Sequence, residues 1–323
     1  MTQEFGRRER RLQARRLLTD ADEKPRTSSD IGSIGRFFDK NYHKLQIIPI
    51  LILLLSISYL VWFTNDTGDF VKRGVSLAGG TSVTVTTTQE FNQRSLEESL
   101  GAAFPDADIA IRVLGSSGSR TGFTVDVAGL GDRGDIELVA FLRTTYPAAS
   151  FSVETTGSSL GDSFFKQTLI AILIAFVLMG IVVFISFRTF YPSIAVILAG
   201  ASTVLSTLAV FNLLGMALST AGVAAFLMLI GYSIDTDILL SSRVLKRDGH
   251  FISNVWSAAK TGLTMQFTTA FAVTIVLVFS NNPVFNQIMT IILIGMFFDV
   301  IYTWIQNAAI LKWYFERKER GSS

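Results

Sequence analysis

Apolar and polar positions along the chain form six long apolar runs and one stretch of changing period. The runs are Leu45–Phe63, Gln167–Phe187, Pro192–Leu214, Ala217–Leu240, Leu263–Ser280 and Phe285–Leu311. Each is close to the roughly 20 apolar residues a helix needs to cross a bilayer. Between the first two, the β-branched run Thr81–Thr88 follows the Gly79-Gly80 break and reads as a strand. Phe91, Leu96, Leu100 and Phe104 then recur at helical spacing and stop before Pro105. Ala107–Leu114 alternates as a strand, Gly115–Arg120 turns, and Phe123, Val125 and Val127 alternate as its partner. A second helix spans Asp135–Tyr146 and a last strand Ser150–Thr155. The order β-α-β-β-α-β is that of a ferredoxin-like sandwich. The expected fold is a polytopic α-helical membrane protein with six transmembrane helices and an α+β ferredoxin-like (βαββαβ) extracytoplasmic domain between helices 1 and 2. The expected divisions are a basic tail at 1–44, helix 1 at 45–63, the domain at 64–166, a five-helix bundle at 167–311 and a second tail at 312–323.

Charge sets the orientation of this pattern. Arg7, Arg8, Arg10, Arg11, Arg15 and Arg16 place the first tail in the cytoplasm by the positive-inside bias. Arg188, then Arg243, Lys246, Arg247 and Lys260, then Lys312, Arg317, Lys318 and Arg320 fall on the same side by alternation. The loops around Gly215 and Asn281–Pro283 carry no Lys or Arg, so both termini are expected inside. The first run is too long for a signal-peptide core and no small-residue cleavage site follows Trp62-Phe63, so it reads as a retained helix. The basic tail reads as a topology signal, with docking to a ribosome or an acidic lipid surface as the alternative.

Composition agrees: the chain is 49% hydrophobic and 17% charged, with a mean hydropathy of +0.44. That apolar share is more than one soluble core can hide. With no Cys, disulfides and thiol redox chemistry are excluded. The 64–166 domain holds no His and no clustered carboxylates, so no catalytic residue, metal site or cofactor is expected there. Its Thr-rich first strand could offer an edge to an extended polypeptide, or could be a solvated sheet face.

The candidate chemistry lies inside the membrane runs, where a charged side chain costs about 2.5–3.5 kcal/mol on insertion scales. Asp235 and Asp237 point roughly 200° apart on a helix and cannot share one proton as a dyad. Asp237 shares a stripe with Ser233 and Ser241, Asp235 one with Gly231, Tyr232 and Ser242, and the sequence does not choose between them. Either acid could instead reach the interface or pair with Arg243. Asp299 lies near the centre of the sixth run, with Thr303 and Gln306 continuing its face. It fits either an ion or proton relay or a structural hydrogen bond. Thr261, Thr264 and Thr268, following Lys260, form a stripe expected to face a polar interior shared by the fourth to sixth helices. Lys260 itself reads as a positive-inside charge.

Three segments resemble the SecF family of protein-export membrane proteins. Leu229–Arg243 is similar to the family pattern Ile-Gly-Tyr-Ser-Ile-Asn-Asp-Thr followed by Arg, with Gly231, Tyr232, Ser233, Ile234 and Arg243 in register. Gly74–Gly80 resembles Gly-x-Asp-x-x-Gly-Gly, keeping Gly74, Gly79 and Gly80, and Gly157–Gly161 resembles Gly-Pro-x-x-Gly. Ser76 stands for the signature Asp, Ser158 for the Pro, and Thr236 for the fourth-helix Asp. Lys260, Thr261 and Thr264 are similar to the family's Arg-Thr-x-x-Thr, and the Ile-Asp-Thr-Asp form, with Asp299 and Trp304–Asn307, resembles the archaeal branch. The resemblance covers nearly the whole chain after the basic tail. It implies a membrane-integral accessory subunit of the Sec translocon that pairs with SecD, a six-span partner of the same resistance-nodulation-division superfamily. The implied substrate is an unfolded secreted polypeptide moved with help from a proton or sodium gradient, with Asp235, Asp237 and Asp299 as relay candidates. No nucleic acid is implied.

Other readings differ in what they require. A lipid or drug transporter of the same superfamily normally needs twelve spans and a larger extracytoplasmic domain. An intramembrane aspartyl protease carries Gly-x-Gly-Asp, whereas Asp299 follows Met296-Phe297-Phe298. A receptor would need a signalling domain among the cytoplasmic loops.

Overall fold

The computed structural model describes residues 40–87, 89, 91–105, 107–116, 119–128, 134–246, 250–280 and 282–321. The arginines of the basic tail, Thr88, Arg247 and Asn281 lie outside the described residues. Among the described residues six helices are long and apolar enough to cross a membrane, and the chain is a multi-pass membrane protein. They are α1 (Ile47–Thr67), α5 (Ser158–Phe187), α6 (Phe190–Leu213), α7 (Thr220–Lys246), α8 (Phe251–Phe279) and α9 (Pro283–Ile301). The last continues through a π-helical turn, Tyr302–Asn307, into α10 (Ala308–Gly321). Small and polar side chains draw α6 inward, its apolar window being 61% buried, against 11% for α5. With α7 and α9 it forms the centre of the bundle, while α1, α5 and α8 are peripheral.

Between α1 and α5 come a short helix, α2 (Val75–Ala78), then β1 (Gly80–Thr86), α3 (Gln93–Ala103), β2 (Asp108–Ser116), β3 (Ser119–Ala128), α4 (Gly134–Thr145) and β4 (Ser150–Thr156). The strands form one sheet in the order β2-β3-β1-β4, with every neighbouring pair antiparallel. Alternation sends Val83, Val85, Phe123, Val125 and Val127 to one face, where Leu96, Leu100, Leu138 and Leu142 cover them. The opposite face carries Ser82, Thr84, Thr86, Thr124 and Asp126.

One expectation fails in this sheet. β1 is central, hydrogen-bonded to β3 on one side and β4 on the other, so its main chain has no free edge for strand addition. The free edges belong to β2 and β4.

The glycine motifs tie this domain to the bundle. The backbone around Arg73 pairs with Leu218, Gly74 N–H donating to Leu218 O (2.7 Å) and Leu218 N–H to Lys72 O (2.7 Å). Asn212 Nδ2 donates to Phe70 O (2.9 Å), and Ser76 Oγ accepts from Thr220 N–H at the start of α7 (3.1 Å). Gly79 has φ +86°, and a Cβ on Gly161 would lie 2.7 Å from Gly79 N. Both positions exclude larger residues, because α2 and the start of α5 touch backbone to backbone. Gly157 and Gly231 have open space where a Cβ would stand. Arg73 closes the joint through Asp69 (2.8 Å) and Asp162 (3.1 Å), with its guanidinium 4.8 Å from the Phe165 ring centre.

Candidate functional site

Two buried carboxylates on different helices face each other at the centre of the bundle. α7 turns Ser233, Asp237 and Ser241 inward on one stripe, since residues four apart share a helix face, and all three are buried. α9 supplies Asp299, 3% exposed, and the π-helical turn supplies Thr303 and Asn307.

Asp299 has more hydrogen-bond donors than Asp237. It accepts hydrogen bonds from Ser233 Oγ (2.5 Å), Thr236 Oγ1 (2.8 Å) and Gln266 Nε2 (2.6 Å). Thr236 has a second acceptor, Ser233 O at 2.9 Å, and its single proton serves one at a time. Asp237 Oδ1 accepts from Asn307 Nδ2 (2.7 Å) and Thr303 Oγ1 (3.0 Å). Thr303 Oγ1 also lies 3.4 Å from Asp299 Oδ1, so one hydroxyl stands between both acids. Asp237 Oδ2, Ser241 Oγ and Asn307 Oδ1 are buried without a hydrogen-bond partner. Among the described residues no Lys or Arg forms an ion pair with either acid. A buried carboxylate without a cation is expensive to keep charged, by several kcal/mol per ion even after relaxation.

A second layer positions these donors. Trp304 Nε1 donates to Gln266 Oε1 (3.1 Å), which orients the Gln266 amide so that its nitrogen meets Asp299. The indole lies against Gly262, where a Cβ would collide with the ring. Tyr302 Oη bonds Ser206 Oγ (2.6 Å), which is bonded by Ser56 Oγ (3.1 Å), linking the sixth, third and first membrane helices.

The sequence candidates divide clearly. Asp237, Asp299, Ser233 and Thr236 come together. Asp235 does not: it is exposed on the outer face of α7 beside Gly231 and Tyr232. Arg243 bonds Ser257 Oγ (2.6 Å) and Thr261 Oγ1 (3.4 Å), not an acid, and Lys260 is exposed, with its ammonium 5.8 Å from the Trp256 ring centre.

The Thr stripe on the fifth helix is a correction. Thr261, Thr264 and Thr268 are all exposed, facing away from the shared interior. Each hydroxyl donates to a carbonyl one turn earlier on its own helix, Thr264 to Lys260 O (2.7 Å) and Thr268 to Thr264 O (3.0 Å), and so needs no interior partner. Gln266, on the opposite face, is the interior residue. Gln306 is the second correction. In α-helical register it falls on the Asp299 face, but the π-helical turn widens that register and Asn307 takes the place. Gln306 is buried with Nε2 unpartnered.

Residues 138–317 match the family described as protein export membrane protein SecD/SecF, C-terminal. The protein-export membrane protein SecF of Methanolacinia petrolearia is 36% identical over 295 residues, which cover 88% of this chain and 99% of that protein. The chain belongs to the SecF family. SecF of Pyrococcus furiosus is 33% identical over 281 residues, covering 85% of this chain and 92% of that one. Among solved structures, SecDF of Thermus thermophilus, a translocon-associated membrane protein, superposes with a TM-score of 0.71 at 21% identity, a likeness of fold. The match covers 93% of this chain but 41% of the SecDF chain, so this chain spans well under half of that protein.

The sequence resemblance sets Thr236 at the family's fourth-helix Asp. Here that residue donates to Asp299 rather than carrying a charge. Asp237, next in sequence, supplies the fourth-helix carboxylate.

Proposed function

We propose that this chain is the SecF subunit of a SecD-containing complex in the cytoplasmic membrane. It assists export of unfolded polypeptides through the Sec translocon, coupled to an ion gradient at the Asp237–Asp299 pair. The observation that carries the coupling is the pair itself: two buried acids, one shared hydroxyl and, among the described residues, no Lys or Arg in an ion pair with either. Loading a proton or a monovalent cation there removes a burial penalty of several kcal/mol. Unloading restores it, enough to bias α7 against α9 between two packings.

The positive-inside bias supports both termini in the cytoplasm and the sheet domain outside. The element order and strand order support a ferredoxin-like domain. A SecD partner is supported by the outer face of α7 and α8. There Asp235 is exposed on α7 and Thr264 and Thr268 on α8, and an acidic side chain left facing lipid is expensive.

Removal of the chain from its host is expected to slow processing of pulse-labelled secretory precursors, and the tagged full chain is expected to co-purify with a SecD-like six-span protein. Unchanged processing together with purification alone would contradict this reading.

A further inference from the structure

The π-helical turn Tyr302–Asn307 gathers unsatisfied polar groups around one backbone irregularity. Gln306 Nε2, Asn307 Oδ1 and, across from them on α7, Asp237 Oδ2 are buried without a hydrogen-bond partner. Ala308 N–H reaches back five residues to Thr303 O, so the turn holds one residue more than an α-helix would. A buried amide without a partner in one arrangement is explained by a partner in another. We propose that Gln306 is a positioning residue for the acid pair, a role that rests on the ion-coupling reading above. It is the alternate amide donor to Asp237, delivered when the extra residue of the turn moves one turn along the helix toward the C-terminus.

An extra residue can pass along a helix by exchanging backbone hydrogen bonds in succession, leaving the helix on either side in place. Each residue it passes takes the place of its successor, a rotation of about 100° and a rise of about 1.5 Å. Here the step puts Gln306 where Asn307 now stands, against Asp237, and takes Asn307 out of the site. That is the α-helical register, in which residue 306 shares the Asp299 face. The same step draws Trp304 off Gln266, whose amide it orients toward Asp299, so the donors of both acids change together.

The sequence leaves this path clear. No proline follows Pro283, so every backbone N–H from Val284 onward can change its partner. Ala308 and Ala309, the first residues the turn would enter, are fully buried but carry only a methyl group. Larger side chains there would have to displace their neighbours as they rotated. With Gln306 in reserve, both registers give Asp237 one amide, which keeps them close enough in energy for loading of the acid pair to choose between them. Without it the second register leaves Asp237 short of a donor. Losing a hydrogen bond to a charged group shifts such an equilibrium by about tenfold or more.

The test uses the full chain with its partner in sealed membrane vesicles and reads the ratio of export with an imposed ion gradient to export without one. Gln306→Leu is expected to bring that ratio to about one. Its unfolding midpoint is expected not to fall, because the amide removed is unpartnered in the present register. Gln306→Asn, whose amide has the reach that Asn307 already uses at Asp237, is expected to keep the stimulation. Deleting Ile305 takes out the extra residue and fixes an α-helix with Asn307 against Asp237, and is expected to abolish stimulation while the partner still co-purifies. Stimulation kept in Gln306→Leu or in the deletion, stimulation lost in Gln306→Asn, or a lowered midpoint in Gln306→Leu would overturn the alternate register. If Asp237→Asn and Asp299→Asn lose stimulation in the same vesicles, the coupling stands without it. Stimulation kept in those two as well would overturn the coupling reading, and the role of Gln306 with it.

Discussion

Thr303 Oγ1 lies 3.0 Å from Asp237 Oδ1 and 3.4 Å from Asp299 Oδ1, so a single hydroxyl joins two buried carboxylates from different membrane helices. It can donate to one acid at a time, and which acid receives it depends on which of them is charged. On the proposed coupling, Thr303 is the point where loading of one acid would be felt by the other.

Thr303→Val keeps the shape and removes the hydroxyl. The expected cost is about 1.5–3 kcal/mol, the scale of a hydrogen bond to a charged group, read as a lower unfolding midpoint in detergent. Gradient-stimulated export is expected to fall with it, while co-purification with the partner is unchanged.

Gln266→Leu and Thr264→Val separate the two faces of α8. Gln266 is buried against Asp299, and losing its amide leaves that carboxylate short of a donor, an expected loss of about 1–3 kcal/mol. Thr264 is exposed and bonded to its own helix, so Thr264→Val is expected to leave the stability of the isolated chain unchanged within about 0.5 kcal/mol. Thermal unfolding of both purified variants checks the contrast.

The fold was legible in the sequence to different depths. Six spans and the order of strands and helices follow from apolar run length and from periods of two and 3.6, because each element's burial is written in its own residues. Pairing partners are not written locally, which is why the most β-rich segment was legible as a strand but not as the centre of its sheet. In the site, Asp299 could be read from its helical stripe, whereas the stripes of the fourth helix offered Asp235 and Asp237 equally and only the packing chose Asp237 with Ser233. The Thr stripe misled because threonine can satisfy itself on its own backbone. Gln266 was the better signal: its longer amide makes no such bond here, and a buried amide needs a partner from elsewhere. Asn307 could not be reached from α-helical counting, since the π-helical turn that brings it inward breaks the count.

Gly161→Ala tests the joint between domain and bundle. The added methyl would lie 2.7 Å from Gly79 N, a backbone atom that cannot step aside, and overpacking of this kind costs about 1–3 kcal/mol. Increased proteolytic cutting between α1 and α5 is expected, with the six membrane helices retained by circular dichroism.

Asp235→Asn addresses the outer face of α7. Asp235 makes no part of the buried pair, so stability of the isolated chain is expected to hold within about 0.5 kcal/mol. Co-purification with the SecD-like partner is expected to weaken, measured as the fraction of partner retained in a pull-down at fixed detergent.

On the proposed coupling, the Asp237–Asp299 pair converts an ion gradient into movement that aids export. The direct measurement is precursor translocation into sealed membrane vesicles, with and without an imposed proton or sodium gradient, for Asp237→Asn, Asp299→Asn and Asp235→Asn. Both interior variants are predicted to translocate at the rate seen without a gradient, while Asp235→Asn, with its partner retained by fusion, keeps the stimulation. Full gradient stimulation in Asp237→Asn and Asp299→Asn would contradict the account.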